Sequence, residues 1–290
     1  MKFKSKRPHF EHLHKKWTAR HRSLQNKLWD KHKESLNWLT AGGLGGLLLL
    51  TSPNPITLPI TPPIHAKDDI LAGFDENAAL AKKLQEDLPE EIRPLNPEEE
   101  AKILQRLAKD FGFGVTAEIE GTRINRNYGL IGGEQHLYRY PGDSLLQHAD
   151  SAVDWAKYGS AGIAPGLGAW GYFALSKQEF TEVDKMREKY YLAIQTFLSP
   201  GFAENVAKYR DFFKFRKMLV VNPSSGQSVV AVIGDAGPAE WTGKHLGGSP
   251  EVMDVLGLAT GPRKGPVLYF FIDDPEDKIP LGPVKIKNQA

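Results

Sequence analysis

Asp235 is the residue whose position most directly suggests chemistry. It follows an apolar, β-branched run, Ser228-Val-Val-Ala-Val-Ile233, and stands between Gly234 and Gly237. A carboxyl group held in a turn at the end of a strand lies at the surface of a sheet. Apolar walls beside it raise its pKa, which a general acid needs in order to protonate a glycosidic oxygen. The same side chain can instead accept backbone N–H bonds and only shape the turn, and both readings stay open. Residues suited to a sugar accompany it in the sequence. Trp241, Trp170 and Tyr172 offer faces that stack on a sugar ring, with core packing as the ordinary alternative. His245 and Glu240 lie near Asp235 in sequence, and Arg139 and Asp143 sit in Tyr138-Arg-Tyr-Pro-Gly-Asp143, a stretch suited to a polar groove or to a plain hairpin end.

Other chemistries are excluded or disfavoured. The chain has no cysteine, which removes thiol catalysis, thiolate metal sites and disulfides. Beyond residue 66 the histidines are His136, His148 and His245, and their spacing matches no zinc pattern, so no metal is expected. The glycine-rich stretch Gly159 to Gly171 lacks the Lys-Ser/Thr of a phosphate-binding loop, and no strand is predicted before it. No cofactor is expected.

Short strands and turns must position Asp235. Strands are predicted at 116–124, 128–140, 215–221, 228–233 and 267–272, with a turn at Asn222-Pro-Ser-Ser-Gly226. A helix is predicted from Pro97, capped by Asn96, started by Glu98, Glu99 and Glu100, and ended by Gly112. Ser176 and Glu179 read as a capping box opening a long helix through Phe197, and a further helix spans 202–213. The expected fold is therefore α+β: a six-stranded barrel within residues 96–290, interrupted by a helical insertion at about 144–212. Two separate domains is the alternative.

The net charge of +2 averages two opposite regions. Residues 1–35 form a basic arm, with eleven Lys or Arg by residue 33. Leu36 to Thr51 is uncharged, about 16 residues long and interrupted by Gly42, Gly43, Gly45 and Gly46. A basic arm followed by such a run reads as a signal or transmembrane segment at 36–52, because the positive residues stay on the cytoplasmic side while the apolar run inserts. A Pro-rich, partly helical linker at 53–95 follows. The expectation is a cell-envelope protein, secreted or held to the membrane by its N-terminal segment, with its C-terminal domain outside the cytoplasm. No helix-turn-helix or zinc pattern accompanies the basic residues, so no nucleic-acid partner is expected.

The succession Met218-Leu-Val-Val-Asn-Pro-Ser-Ser-Gly-Gln-Ser-Val-Val-Ala-Val-Ile-Gly-Asp-Ala-Gly-Pro238 resembles the signature of rare lipoprotein A. The likeness continues through Gly243, the Ser249-Pro250 helix start and the strand Gly265-Pro-Val-Leu-Tyr-Phe-Phe271, about 60 of the 290 residues. Rare lipoprotein A, the expansins and the membrane-bound lytic transglycosylase A group share a double-psi β-barrel and act on or bind cell-wall polysaccharide. The resemblance implies peptidoglycan or another cell-wall glycan as partner. It implies either lytic transglycosylase or glycosidase-like cleavage with Asp235 as acid, or non-catalytic, expansin-like binding. An envelope scaffold is the third reading. Two departures from the family bear on catalysis. Its Asp-Arg-Gly-Pro has Ala236 for Arg, and its second Asp aligns with Gly247. Glu240, Asp254 and Asp143 are the carboxylates available to replace it.

Overall fold

The computed structural model describes residues 65–287 of the chain. The basic arm and the apolar segment at 36–52 lie outside them. Among the described residues no helix is long and apolar enough to cross a membrane.

Two helices come first, α1 (His65–Asp87) and α2 (Pro97–Phe111). The predicted signals set the second: Asn96 Oδ1 accepts the Glu99 N–H at 2.9 Å, Glu99 accepts from the Asn96 N–H, and Gly112 closes the helix in the left-handed region. Asp87 joins the pair by accepting from Arg106 at 2.6 Å and contacting Lys102 at 2.7 Å. Short strands follow: β1 (Val115–Thr116), β2 (Glu118–Ile119), β3 (Thr122–Arg123) and β4 (Tyr128–Gly133). Then come α3 (Ala152–Tyr158), α4 (Glu182–Lys189), β5 (Tyr191–Ile194) and α5 (Val206–Phe213). The chain ends through β6 (Lys217–Val221), β7 (Ser228–Ala236), β8 (Leu246–Gly248), α6 (Pro250–Val255), β9 (Lys264–Ile272) and β10 (Gly282–Pro283).

Six strands close a mixed barrel in the order β4-β8-β5-β7-β6-β9, with β9 pairing back to β4. The β4–β8 and β5–β7 pairs are parallel and the rest antiparallel. Alternation along the strands divides the core in two. Leu192, Met218, Val220, Val229, Ala231, Ile233, Tyr269 and Phe271 pack together in the interior. Leu219, Val221, Val230, Leu268 and Phe270 face the other way and are buried under Leu80 and Leu84 of α1 and Ile103, Leu107 and Phe111 of α2. Burial on both faces is why β6, β7 and β9 read as nearly unbroken apolar runs.

The turn between β6 and β7 is where α1 approaches the barrel most closely. Gly226 has φ +74°, and a Cβ there would overlap the carbonyl oxygen of Asn77 in α1. A backbone carbonyl cannot swing aside as a side chain does. Gly226→Ala is therefore expected to cost roughly 3 kcal/mol from left-handed strain plus overpacking. Thermal unfolding should show Tm lowered by roughly 10 °C; an unchanged Tm would refute the close docking of α1.

The structure departs from the sequence reading mainly between 144 and 212. That stretch is not a helical insertion, because β5 lies within it and forms the barrel stave between β8 and β7. Ser176 Oγ does accept the Glu179 N–H at 3.3 Å, but no helix follows. The capping box that starts α4 is Thr181 with Asp184, and α4 stops at Lys189. Tyr191-Leu-Ala-Ile194 is completely buried, and pairing with two staves satisfies its backbone in a way a helix there would not. β8 was also not predicted, being three residues long and two-thirds glycine. Conversely α1, expected within the linker, packs on the barrel.

Candidate functional site

The site grows from an irregularity in β7. Ile233 pairs with Leu192 and faces the interior, so strict alternation would turn Asp235 inward as well. The register shifts by one residue between Leu192 and Ala193, leaving Gly234 as the extra residue and pairing Asp235 with Ala193. This β-bulge re-aims Asp235 to the outer face. Glycine is required at 234 because a Cβ there would stand 2.6 Å from the Tyr191 Cβ.

Ala193 also pairs with Gly247 of β8, and Gly247 with Gly132 of β4. One rung across four adjacent staves thus carries Asp235, a methyl group and two glycines. The Cα atoms of Asp235 and Gly247 are two strand spacings apart, about 10 Å. The rung is partly roofed. A Cβ on Gly247 would overlap Glu134 Cγ, and one on Gly132 would meet Lys244 Cδ at 2.6 Å. Glu134 and Lys244 pair at 3.0 Å over this floor, each with about a quarter of its side chain exposed. Glu134, reaching over from the end of β4, thus occupies the space above Gly247. A side chain introduced at 247 should clash with it. Gly247→Asp alone is expected to cost about 1–3 kcal/mol, most of it recovered in combination with Glu134→Ala. Additive losses in that double-mutant cycle would show that the two positions do not share space.

Asp235 itself is half-buried. Its Oδ1 accepts the N–H of Ala169 at 2.6 Å and of Ala236 at 2.8 Å. Its Oδ2 has no hydrogen-bond partner among the described residues and is not sealed in the interior. Burial raises its pKa above the usual carboxylate value, and the two N–H bonds only partly offset that. The Ala169 contact belongs to the loop 159–171, whose Gly168 lies against Asp235 and Leu137. After β7 the chain turns through 237–245, and both ends of this loop are tied by buried Gln195, whose Nε2 donates to Pro238 O (2.9 Å) and Lys244 O (3.2 Å). At its tip Glu240 is exposed and Trp241 is 89% exposed, with no core to pack against. Hollows of about 750 and 520 Å³ lie elsewhere, between α1 and the 224–228 turn and along α1 and α2.

No protein-family model and no curated protein matches the chain.

None of the remaining expected residues hydrogen-bonds Asp235, though Trp170 packs beside it. His245 accepts the Leu130 N–H through Nδ1 at 2.9 Å and meets Arg126 through Nε2 at 2.8 Å. Burial and the nearby Arg126 and Lys264 lower its pKa, so it holds β4 rather than pairing with Asp235. Trp170 is buried, its Nε1 donating to Ile233 O at 3.1 Å while Arg210 lies over its ring. Tyr172 is exposed. Asp254 binds Lys157 at 2.6 Å and Tyr158 at 3.1 Å.

Arg139 and Asp143 belong to a buried polar cluster that the sequence did not disclose. Asp143 accepts from Arg139 Nε (2.9 Å), Arg139 NH2 (2.7 Å) and the Arg139 N–H (3.0 Å), and contacts His148 Nε2 at 2.9 Å. On its other side, His148 Nδ1 meets Glu188 Oε2 at 3.3 Å, while His136 Nδ1 meets Glu188 Oε1 at 3.2 Å. Burial opposes every charge here, yet the partners prevail. Asp143 is held well below the carboxylate range, Glu188 falls to about 2, and His148 rises to about 9. Glu251 of α6 is the exception. Burial and the Glu188 charge push it up to about 7, and its Oε2 is buried without a partner among the described residues. Four of these groups, His136, Arg139, Asp143 and His148, lie within one stretch of 13 residues, but Glu188 and Glu251 reach them only through the fold, so local spacing could not signal the cluster.

Proposed function

We propose that this chain is an exported cell-envelope protein whose barrel cleaves peptidoglycan glycan chains, with Asp235 as the general acid. The observation that carries the reading is the bulge that turns Asp235 outward. It leaves one oxygen anchored by two N–H groups, the other oxygen unpartnered, and the pKa raised by burial. The closed six-stranded mixed barrel is compatible with the double-psi barrel of the families that residues 218–271 resemble. Export and membrane association are supported by the basic arm and the uncharged run at 36–51.

In the proposed reaction Asp235 gives its proton to the glycosidic oxygen as the bond to the anomeric carbon breaks. The sugar's own hydroxyl attacks that carbon and returns its proton to Asp235, so no water is consumed and one carboxyl group suffices. Glu134 and Lys244, paired over Gly247 on the same rung, offer polar groups to the hydroxyls of a bound sugar. Trp241 supplies an exposed face for a sugar ring, and Glu240 a polar contact beside it.

The test is incubation of the full-length protein with insoluble peptidoglycan, following soluble glycan fragments over time. Fragment release is expected. Binding without release would overturn the enzymatic reading and leave a non-catalytic glycan-binding barrel. If neither occurs, the envelope-scaffold reading stands instead.

A further inference from the structure

The cluster beneath the loop 159–171 has the composition of a metal site. His136, His148 and Glu188 each offer one donor atom, and these atoms all lie within 4.8 Å of one another. All three side chains are about 98% buried. Two imidazoles and one carboxylate are the donor set that suits zinc, in preference to the oxygen-only sets of calcium or magnesium. We propose that His136, His148 and Glu188 bind a divalent transition-metal ion, zinc by its donor chemistry, which locks the loop carrying the Asp235 anchor onto the barrel.

Four further observations support it. The contacts of Glu188 with the two Nδ1 atoms, 3.2 and 3.3 Å, are long for hydrogen bonds between charged partners, which favour about 2.7–2.9 Å. They run to different oxygens of Glu188, and donor atoms taken one per residue lie within 4.8 Å of one another, a spread that modest side-chain movement closes to the roughly 3.3 Å between ligands about 2.0–2.1 Å from a tetrahedral zinc. The surrounding shell is also in place. His148 presents Nε2 to Asp143, which Arg139 clamps in turn, so the ring's Nδ1 is left as the donor; ligating histidines are oriented this way by carboxylates. The Leu137 N–H fixes Glu188 Oε1 at 3.1 Å. Finally, a cavity of about 10 Å³ beside the two imidazoles, lined by His136, His148, Ala149, Asp154 and Trp155 but not by Glu188, has room for about one water.

Enclosure on this scale admits no glycan, so the ion's role is positional. The backbone of His136 pairs with the loop at both of its groups: its N–H donates to Gly162 O at 3.0 Å and its carbonyl accepts from Ala164 at 2.8 Å. Five residues on, Ala169 donates to Asp235. An ion on His136 and Glu188 therefore fixes the root of the loop whose far end holds the acid. The inference does not depend on the glycan reading, since metal binding is measured without substrate.

The test is zinc content of the full-length protein after chelator treatment, exposure to zinc and removal of free metal, with cobalt substitution read by its visible spectrum. One zinc per chain, the intense bands of four-coordinate cobalt and a raised Tm are expected. Five histidines of the basic arm could also hold metal, so His148→Ala and Glu188→Gln are compared with wild type, with circular dichroism to confirm folding. Loss of the bound equivalent in either folded variant is expected. Wild-type protein that takes up no stoichiometric zinc or cobalt would overturn the proposal. So would an equivalent retained in both variants, which would place the ion elsewhere. If those variants fail to fold, the chain with His9, His12, His14, His21 and His32 all replaced by Ala decides: the bound equivalent and the cobalt bands must persist in it, and their loss would overturn the proposal.

Discussion

Asp235→Asn should abolish glycan cleavage while leaving the protein folded and able to bind. The substitution keeps the size of the side chain and an oxygen that accepts from Ala169 and Ala236, so the anchors of the bulge survive. What it removes is the transferable proton. General acid catalysis by a positioned side chain is worth about 10²–10⁴-fold, and a loss of that order in fragment release is expected, with little change in the amount of protein retained on peptidoglycan. The pH profile follows from the same group. Only the protonated acid is active, so the rate should fall as pH rises through its raised pKa, and the raised value keeps the acid competent at higher pH than an ordinary Asp. Fragment release unaffected by the substitution would remove Asp235 from the chemistry.

The largest expected gain in stability comes from Glu251→Gln. Glu251 is buried at the start of α6, and its pKa stands at about 7 against an ordinary 4.5. The sign is set by which state holds the proton. Between pH 4.5 and 7 the unfolded chain releases it while the folded protein keeps it, so unfolding gains as pH rises. The stabilising effect of the protonated group is complete below about 4.5 and lost once pH has passed through about 7. That gap, at about 1.4 kcal/mol per pH unit, amounts to about 3 kcal/mol. Gln is neutral throughout and has nothing to lose. Chelator-treated wild type and variant should have similar Tm values at pH 4.5 and differ by roughly 5–10 °C at pH 8, the variant being higher. Equal Tm values at pH 8 would mean that Glu251 is not held in an apolar environment.

How much of this was legible in the sequence depends on whether the signal was local. The α2 helix announced itself through Asn96, Pro97, three glutamates and Gly112, all within one short stretch, and each cap is present. β6, β7 and β9 were legible because burial on both faces makes them continuously apolar. β5 was not, since four residues after a helix carry no period of their own, and only the neighbouring staves β7 and β8 decide their state. The placement of Asp235 at the barrel surface was anticipated from Gly234 and Gly237. Its cause, one extra residue in the register against β5, required the partner strand. The carboxylates that the sequence offers as candidates, Glu240, Asp254 and Asp143, lie close in sequence or in a turn. The residue over Gly247 is Glu134, more than a hundred positions away and brought there by the parallel pairing of β4 with β8. His136, His148 and Glu188 are likewise joined only by the fold, Glu188 standing 52 and 40 positions from the two histidines, so histidine spacing alone gives no sign of the carboxylate that completes the set.

In the proposed reaction Asp235 cleaves glycan by acid catalysis with the sugar's own hydroxyl as nucleophile. The most direct measurement is the mass of the fragments released from peptidoglycan by the wild-type protein, with Asp235→Asn as control. The account predicts new ends lighter by one water than hydrolysis would leave, and no fragments from the variant. Fragments carrying the added water, or the same fragments from both proteins, would contradict it.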